Sequence, residues 1–493
     1  MGFFNRKSSK LSTDGDSVAS NSTRNSQALK SPPLTKTMST PFHSPSMPDV
    51  TLPKPPDPNL DPAAYLRSIH AVRERSKIVF DKAKKNNLAH FDVDLRQFRV
   101  TAEYTRDYAP NYHSIPPHGR WQHFEVGGRR RVDQLLATWT SAVDNQERTR
   151  RLIDLFLVSV LLDAGAGTAW SYKSKESGKV YRRSEGLAVA SLEMFKTGMF
   201  SSDPNQPCQV DAAGLSKVTE QLLGKGLQVT ETNPIAGLPG RAGLLSRLAD
   251  ALQNPEYFGR NARPGNMLDY LLSHPSTLAS SVPIVPLPIL WDVLVNGLAP
   301  IWPSTRTVIA KTSIGDAWPC SSMPQSPPAQ PWETIVPFHK LTQWLAYSLM
   351  TPMSKLLHVQ FAGADLLTGL PEYRNGGLLI DTGLLTLKDA DMKRGLDNYR
   401  ENARVEGQPN MEVIPLFKTD DDVIVEWRAV TVGFLDELLI EVNRLLGLDK
   451  PDGLTLAQML EAGTWKGGRE IAEVSRPNTK EPPIMILSDG TVF

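Results

Sequence analysis

The chain has 493 residues, 40% apolar and 22% charged, which is enough to build two or three domains or one large one around a sizeable core. A formal net charge of +1 argues against a protein whose main task is gripping nucleic-acid backbone, since that needs clustered Lys and Arg. Two cysteines, Cys208 and Cys320, exclude a disulfide framework, a zinc ribbon and an iron–sulfur module, and read as small buried or half-buried hydrophobes.

Residues 1–60 hold 11 Ser, 6 Thr and 9 Pro, with no Trp or Tyr. Such a segment cannot bury enough apolar surface to offset its ordering entropy, and it is predicted to be a disordered tail. Its 7 basic and 4 acidic residues give +3, leaving −2 for the remainder. Ser31-Pro32, Thr40-Pro41 and Ser44-Pro45 have the form of sites for a proline-directed kinase. From Asp61 to the end the pattern is uniform, without repeats or a second tail-like linker, so one body over 61–493 is expected. Its periodicity is mostly helical. Ala63–Lys85 reads as a helix with Ile69, Val72, Ile78 and Val79 inward. Arg131–Trp139 and Gln146–Leu162 read as a pair, the second closed by the glycines of Asp163–Gly167. Ser184–Thr197, Ala213–Leu223, Arg241–Gln253 and Pro264–Leu272 follow. The apolar run from Val282 to Trp302 carries four prolines and Asp292, so it reads as protein interior and no membrane span is expected. Ser321–Pro331 reads as a surface loop. Val336–Met350 is a predicted helix with Pro337 in its first turn. Val423–Val425 is a predicted short strand leading into a helix through Phe434, Leu438 and Val442. The fold class is mainly α with minor β.

The chemistry-bearing motifs are few. There is no H-E-x-x-H, no G-x-x-x-x-G-K-[ST] and no G-x-S-x-G. His113, His118 and His123 recur every five residues, a spacing that does not stack on one helix face. Asp163–Gly167 follows a helix instead of a strand, which favours a cap and a tight turn over a dinucleotide loop. Two segments stand out. Leu366–Gly377 places Glu372, Tyr373 and Arg374 between apolar runs, with a surface ion pair as the bland alternative. Phe338–Trp344 places Lys340, Gln343 and Tyr347 on one polar helix face, with a solvated amphipathic helix as the alternative.

At these residues the chain resembles the uracil-catabolism protein 4 family of fungi and bacteria, long filed as a domain of unknown function. The resemblance runs through LLDAGAGTAW (161–170), RSEGLAVAS (183–191), PFHKLTQWL (337–345), LTGLPEYRNGGLLID (367–381), EWR (426–428) and SDGTVF (488–493). More distantly, the order of motifs is similar to that of the queuosine salvage proteins, which hydrolyse the N-glycosidic bond of queuosine 5′-phosphate on a helical fold like that of the helix-hairpin-helix DNA glycosylases. Their F-Y-K-R-A-Q-I-L resembles Phe338–Leu345, which puts Lys340 and Gln343 on their Lys and Gln. Their F-A-D-Y-R resembles Leu370–Arg374, which puts Glu372 on their catalytic carboxylate. Their E-I-R resembles Glu426–Arg428. The departures are Asp to Glu at 372, a Ser at 348 where they carry Asp, and no clear counterpart of their base-stacking aromatics, which fits a smaller leaving group.

The resemblance implies an enzyme of uracil degradation, an N-ribosyl hydrolase that splits a ribosylurea 5-phosphate into urea and ribose 5-phosphate after a cyclohydrolase-like partner enzyme has opened the ring. A carboxylate beneath an oxocarbenium-like sugar stabilises its charge and activates water, the role assigned to Glu372. Lys340, Arg374 and Arg428 are the candidate phosphate ligands, in that order. Glu426 is expected to orient Arg428 or bind ribose hydroxyls, with Gln343 and Tyr373 beside it in the substrate site. Asp163, Trp170, Ser184 and Glu185 are expected on the opposite wall. No step needs a metal or redox cofactor. A cytoplasmic location is expected, with the nucleus as the alternative. The competing readings are a nucleic-acid base-excision glycosylase on the same fold, and a non-catalytic scaffold that recruits partners through its tail.

Overall fold

Helix-capping side chains and apolar stripes set most of the local structure. The computed structural model describes residues 50–109, 114–167, 169–278, 282–402, 412–448 and 453–487. Most of the Ser/Pro-rich tail with its three Ser/Thr-Pro sites, His113 and the SDGTVF end therefore lie outside the described residues. All the described residues fall in one compact unit, Asp49–Phe493. Residues 50–57 carry no regular structure, 58–60 form a turn on Asp57, the stretch is mostly exposed, and the Leu52 side chain lies beside Gly363.

The helices that frame the site are α1 (Pro62–Arg67), α2 (Ile69–Ala83), α3 (Asn145–Leu161), α4 (Arg183–Lys196), α5 (Leu238–Ala251), α6 (Lys340–Leu357), α7 (Tyr373–Asp381), α8 (Asp422–Leu446) and α9 (Trp465–Ser475). Strands come in two-stranded pairs of three or four residues. Ala317–Pro319 pairs antiparallel with Ile335–Pro337, and Leu416–Lys418 pairs parallel with Met485–Leu487. The fold is thus mainly α with minor β. Among the described residues no helix is long and apolar enough to cross a membrane.

Several boundaries differ from the sequence expectation, each for a local reason. The Ala63–Lys85 helix is two, because Ser68 turns extended and its hydroxyl accepts from Ala71 N to start α2. Ala213–Leu223 is also two short helices, separated where Thr219 caps the second. Pro337 ends a strand instead of opening a helix. Phe338 N and His339 N donate to the carbonyl of Asp316, and the helix starts at Lys340. Val423–Val425 is not a strand. Asp421 caps α8 through Val423 N, and the β-branched run lies inside a helix buried from Val423 to Leu435. Burial on every side removes the periodicity that distinguishes helix from strand.

The core is one large cluster centred on α3, α6 and α8. α6 packs on α3, α8 on α2, and α9 on α7. Two close approaches depend on glycine. A Cβ at Gly433 would run into the Phe80 ring, and one at Gly468 would overlap the Arg374 carbonyl. Cys320 is buried and Cys208 half-buried, both free thiols.

Candidate active site

Four segments converge on one cavity of about 410 Å³. The first is the Asp163–Gly167 loop after α3. It is not a glycine cap: Leu162 ends α3 in a right-handed conformation. The loop is pinned from below by Arg241 of α5, which is fully buried. Arg241 Nη2 donates to the carbonyls of Ala164 and Gly165 at 2.7 Å each, and Nη1 to that of Leu162. Ala236 N donates to Ala166 O, and Gly167 takes φ +79° to leave the wall. Asp163 Oδ1 accepts from Ser184 Oγ at 2.6 Å and from Arg120 Nη1 at 2.8 Å.

The second segment is the start of α4, where Arg183, Ser184 and Glu185 line the cavity. Glu185 pairs with Arg469 of α9. Burial raises its carboxyl, but Arg469 and His123 outweigh that and hold it below its ordinary value.

The third is the start of α6. Lys340 N donates to Asp316 Oδ2 at 2.9 Å, which fixes the first turn, and the lysine side chain faces the cavity. Its ammonium is shifted down by burial, against the opposing pull of Asp163 and Glu372. One lysine therefore sits in the field of two carboxylates.

The fourth is the Leu370–Arg374 turn into α7. Glu372 caps that helix, with Oε2 accepting from Arg374 N at 2.8 Å and Oε1 from Asn375 N at 2.5 Å. Burial raises the Glu372 carboxyl, and the two backbone donors, Lys340 and Arg374 oppose it. Tyr373 lines the cavity with its phenol pushed up to about 12 by burial.

Seven of the predicted site residues thus line one cavity: Glu372, Lys340, Tyr373, Arg374, Asp163, Ser184 and Glu185. Four do not, and each has another task. Gln343 is fully buried; its amide donates to Thr368 Oγ1 (2.7 Å) and accepts from Thr368 N (2.8 Å). With Tyr347, whose hydroxyl donates to Thr368 O, it fixes the chain ahead of Glu372. The polar face of α6 is therefore internal, not solvated. Arg428 is locked in a bidentate pair with Asp316, both bonds 2.7 Å, and donates through Nε to Pro371 O. A guanidinium committed this way supports the Glu372 turn instead of holding phosphate. Glu426 accepts from Ala89 N and His90 N at 2.7 Å each and from Ser322 Oγ, far from any ribose-binding task. Trp170 is fully buried behind α4, donating to Leu227 O.

Other cavity residues escaped the sequence reading. His118, His123, Trp344 and Trp465 form an aromatic corner, with ring centroids 4.6 Å apart for His118–Trp344 and 5.3 Å for His123–Trp465. His118 Nδ1 lies 2.5 Å from Glu461. Burial and then Arg120 push the His123 imidazole down to about 4, so it is neutral near pH 7. Its Nε2 and the Trp344 Nε1 are buried without a partner among the described residues. The five-residue spacing of the two histidines argues only against a shared helix face and gives no hint of this corner. Stacking across segments remote in sequence carries no local signal. Among the described residues no three His, Cys, Asp or Glu side chains gather as a metal site. Of the basic residues in Arg129–Arg131 and Arg148–Arg151, Arg131 is buried on Phe124 O and Tyr181, Arg150 pairs with Asp269 and Arg151 with Glu147, while Arg130 is exposed and pairs with Asp133.

A family described as "Protein of unknown function (DUF1688)" matches residues 65–493. The chain is 44% identical over 445 residues to "Uracil catabolism protein 4" of Lachancea kluyveri, covering 88% of this chain and 99% of the relative. It is 41% identical over 436 residues to "Protein urg3" of Schizosaccharomyces pombe, covering 87% and 98%. A family match over most of the chain, with relatives this similar end to end, makes the chain a member of the DUF1688 family.

Proposed function

We propose that the protein acts in uracil catabolism as an N-ribosyl hydrolase, splitting a ribosylurea 5-phosphate into urea and ribose 5-phosphate. The relative named for uracil catabolism supports the pathway. The reaction rests on one observation: Glu372, Asp163 and Lys340 face the same 410 Å³ cavity, and Glu372 is a carboxyl raised by burial. A cavity of that size suits a small molecule. Raising a carboxyl moves it toward the pH at which it accepts a proton efficiently.

In this reading Glu372 takes a proton from water as the oxygen bonds to the anomeric carbon. The carbon–nitrogen bond breaks, and its electron pair leaves with the urea nitrogen. Lys340, made more acidic by burial, supplies the proton that nitrogen needs. Asp163, fixed by Ser184 and Arg120, balances positive charge on the sugar. Proton exchange from Glu372 back to Lys340 resets the site.

Purified protein incubated with ribosylurea 5-phosphate is expected to release urea, and Glu372→Gln to release it roughly 10²–10⁴-fold more slowly. Equal rates for both proteins remove Glu372 from the mechanism. No release by the wild type overturns the reaction.

A further inference from the structure

Two guanidiniums on the cavity wall, those of Arg183 and Arg374, form no ion pair among the described residues. Their hydrogen bonds go to backbone carbonyls of the C-terminal segment. Arg183 Nη2 donates to Thr479 O and Lys480 O, both at 3.2 Å. Arg374 Nη1 donates to the same Lys480 O at 3.1 Å. One carbonyl oxygen therefore gathers two like charges. Glu481 also lines the cavity but pairs with neither.

Among the described residues, Arg183 Nη1 is buried without a hydrogen-bond partner. A guanidinium nitrogen left this way forfeits a hydrogen bond it would make in water. Its backbone is also unusual, with φ +53° at the start of α4, a region side-chain-bearing residues seldom enter. An unsatisfied donor and a left-handed backbone at one cavity residue are the kind of local cost that persists where a ligand uses it. The other cations differ. Arg428 is neutralised by Asp316 and Arg469 by Glu185 at ion-pair distance, and Lys340 stands in the field of Asp163 and Glu372, whereas Glu481 and Glu372 act on Arg374 without pairing with it.

We propose that Arg183 and Arg374 together seat the 5-phosphate of a ribosyl phosphomonoester. The identity of the sugar rests on the hydrolase reading above. A phosphomonoester brings two negative charges and several acceptor oxygens, which suits two guanidinium forks held side by side. It relieves their mutual repulsion. Lys340 is thereby left to the reaction centre.

The test is calorimetric titration of the full-length protein with ribose 5-phosphate and, separately, ribose. Wild type should bind the phosphate ester at least about tenfold more tightly than the free sugar. Arg183→Gly suits the left-handed backbone and removes only the side chain. It should weaken ribose 5-phosphate at least about tenfold, leave ribose unchanged and keep the melting temperature within a few degrees. Arg183→Lys should fall between, and it stands in if the glycine variant does not fold. Equal affinity for both ligands, no binding of the ester, or variants that bind it like wild type would each overturn the proposal. Urea release separates the two claims. Phosphate-dependent binding through Arg183 without urea release sinks the reaction and keeps the seat. Urea release with an unchanged KM in Arg183→Gly sinks the seat and keeps the reaction.

Discussion

The Asp316–Arg428 pair allows a direct test of how the site is held. Asp316 is fully buried and Arg428 is 2% exposed. The carboxylate accepts two bonds of 2.7 Å from the guanidinium, one of 2.8 Å from Trp318 Nε1 and one of 2.9 Å from Lys340 N. Arg428 also donates to Pro371 O and stacks on Phe338 at 4.1 Å. The pair thus touches the residue before Glu372 and the first turn of α6 together. Arg428→Met leaves a buried carboxylate facing two remaining donors, and Asp316→Asn leaves a buried guanidinium without its counter-charge. Removing one partner of such a pair costs roughly 3–5 kcal/mol, while removing both charges costs far less than the sum. Guanidinium chloride unfolding of wild type, both single variants and the double variant should give a coupling energy above about 2 kcal/mol. The acid limb adds a second readout. Burial raises Asp316, but Arg428 and the other donors outweigh it and hold the carboxyl far below its ordinary 3.8. A depressed folded value gives stability that is present above pH 4 or so and is lost as pH falls toward that folded value. Arg428→Met should flatten this limb. Single-variant costs under about 1 kcal/mol, or costs additive within about 0.5 kcal/mol, would refute the positioning role.

Three further outcomes are expected. His90 bridges Asp391 and Asp422, 2.8 Å from each; burial lowers its imidazole, but hydrogen bonds to Asp422 and Asp391 and the charge of Glu426 win, raising it to about 9. Its stabilisation, up to about 3 kcal/mol, is fully present below pH 6.5 and fades as pH rises through 9, so a stability profile over pH 6–10 should slope in wild type and flatten in His90→Gln. Gly468→Ala forces a methyl onto the Arg374 carbonyl; it should destabilise by roughly 1–3 kcal/mol and weaken ribose 5-phosphate binding, which calorimetry beside a melting curve would reveal. Gln343→Leu strips Thr368 N of its buried acceptor, at a cost of about 1–3 kcal/mol, and should lower kcat more than it raises KM, because it shifts the Glu372 turn and touches no ligand.

Much was legible in the residues. Helices with a clear apolar stripe and a capping side chain, such as Asn145–Leu161 under Asp144, emerge close to their predicted bounds. Periodicity failed where its physical basis fails: Val423–Val425 is buried all round, and the strand before Lys340 is fixed by Asp316, beyond the reach of any local pattern. The same division runs through the site. Glu372, Lys340 and Arg374 could be named because unusual polar residues stood inside apolar runs. Gln343, Glu426 and Arg428 stood in runs of the same kind, and nothing local told them apart. Composition and pattern fixed which polar residues enter the interior, since each must displace an apolar neighbour there. Whether such a residue meets a substrate or a protein partner depends on chain segments hundreds of residues away. Asp316 claims Arg428, Ala89 and His90 claim Glu426, and Arg183, overlooked beside Ser184, keeps a buried nitrogen without a partner among the described residues.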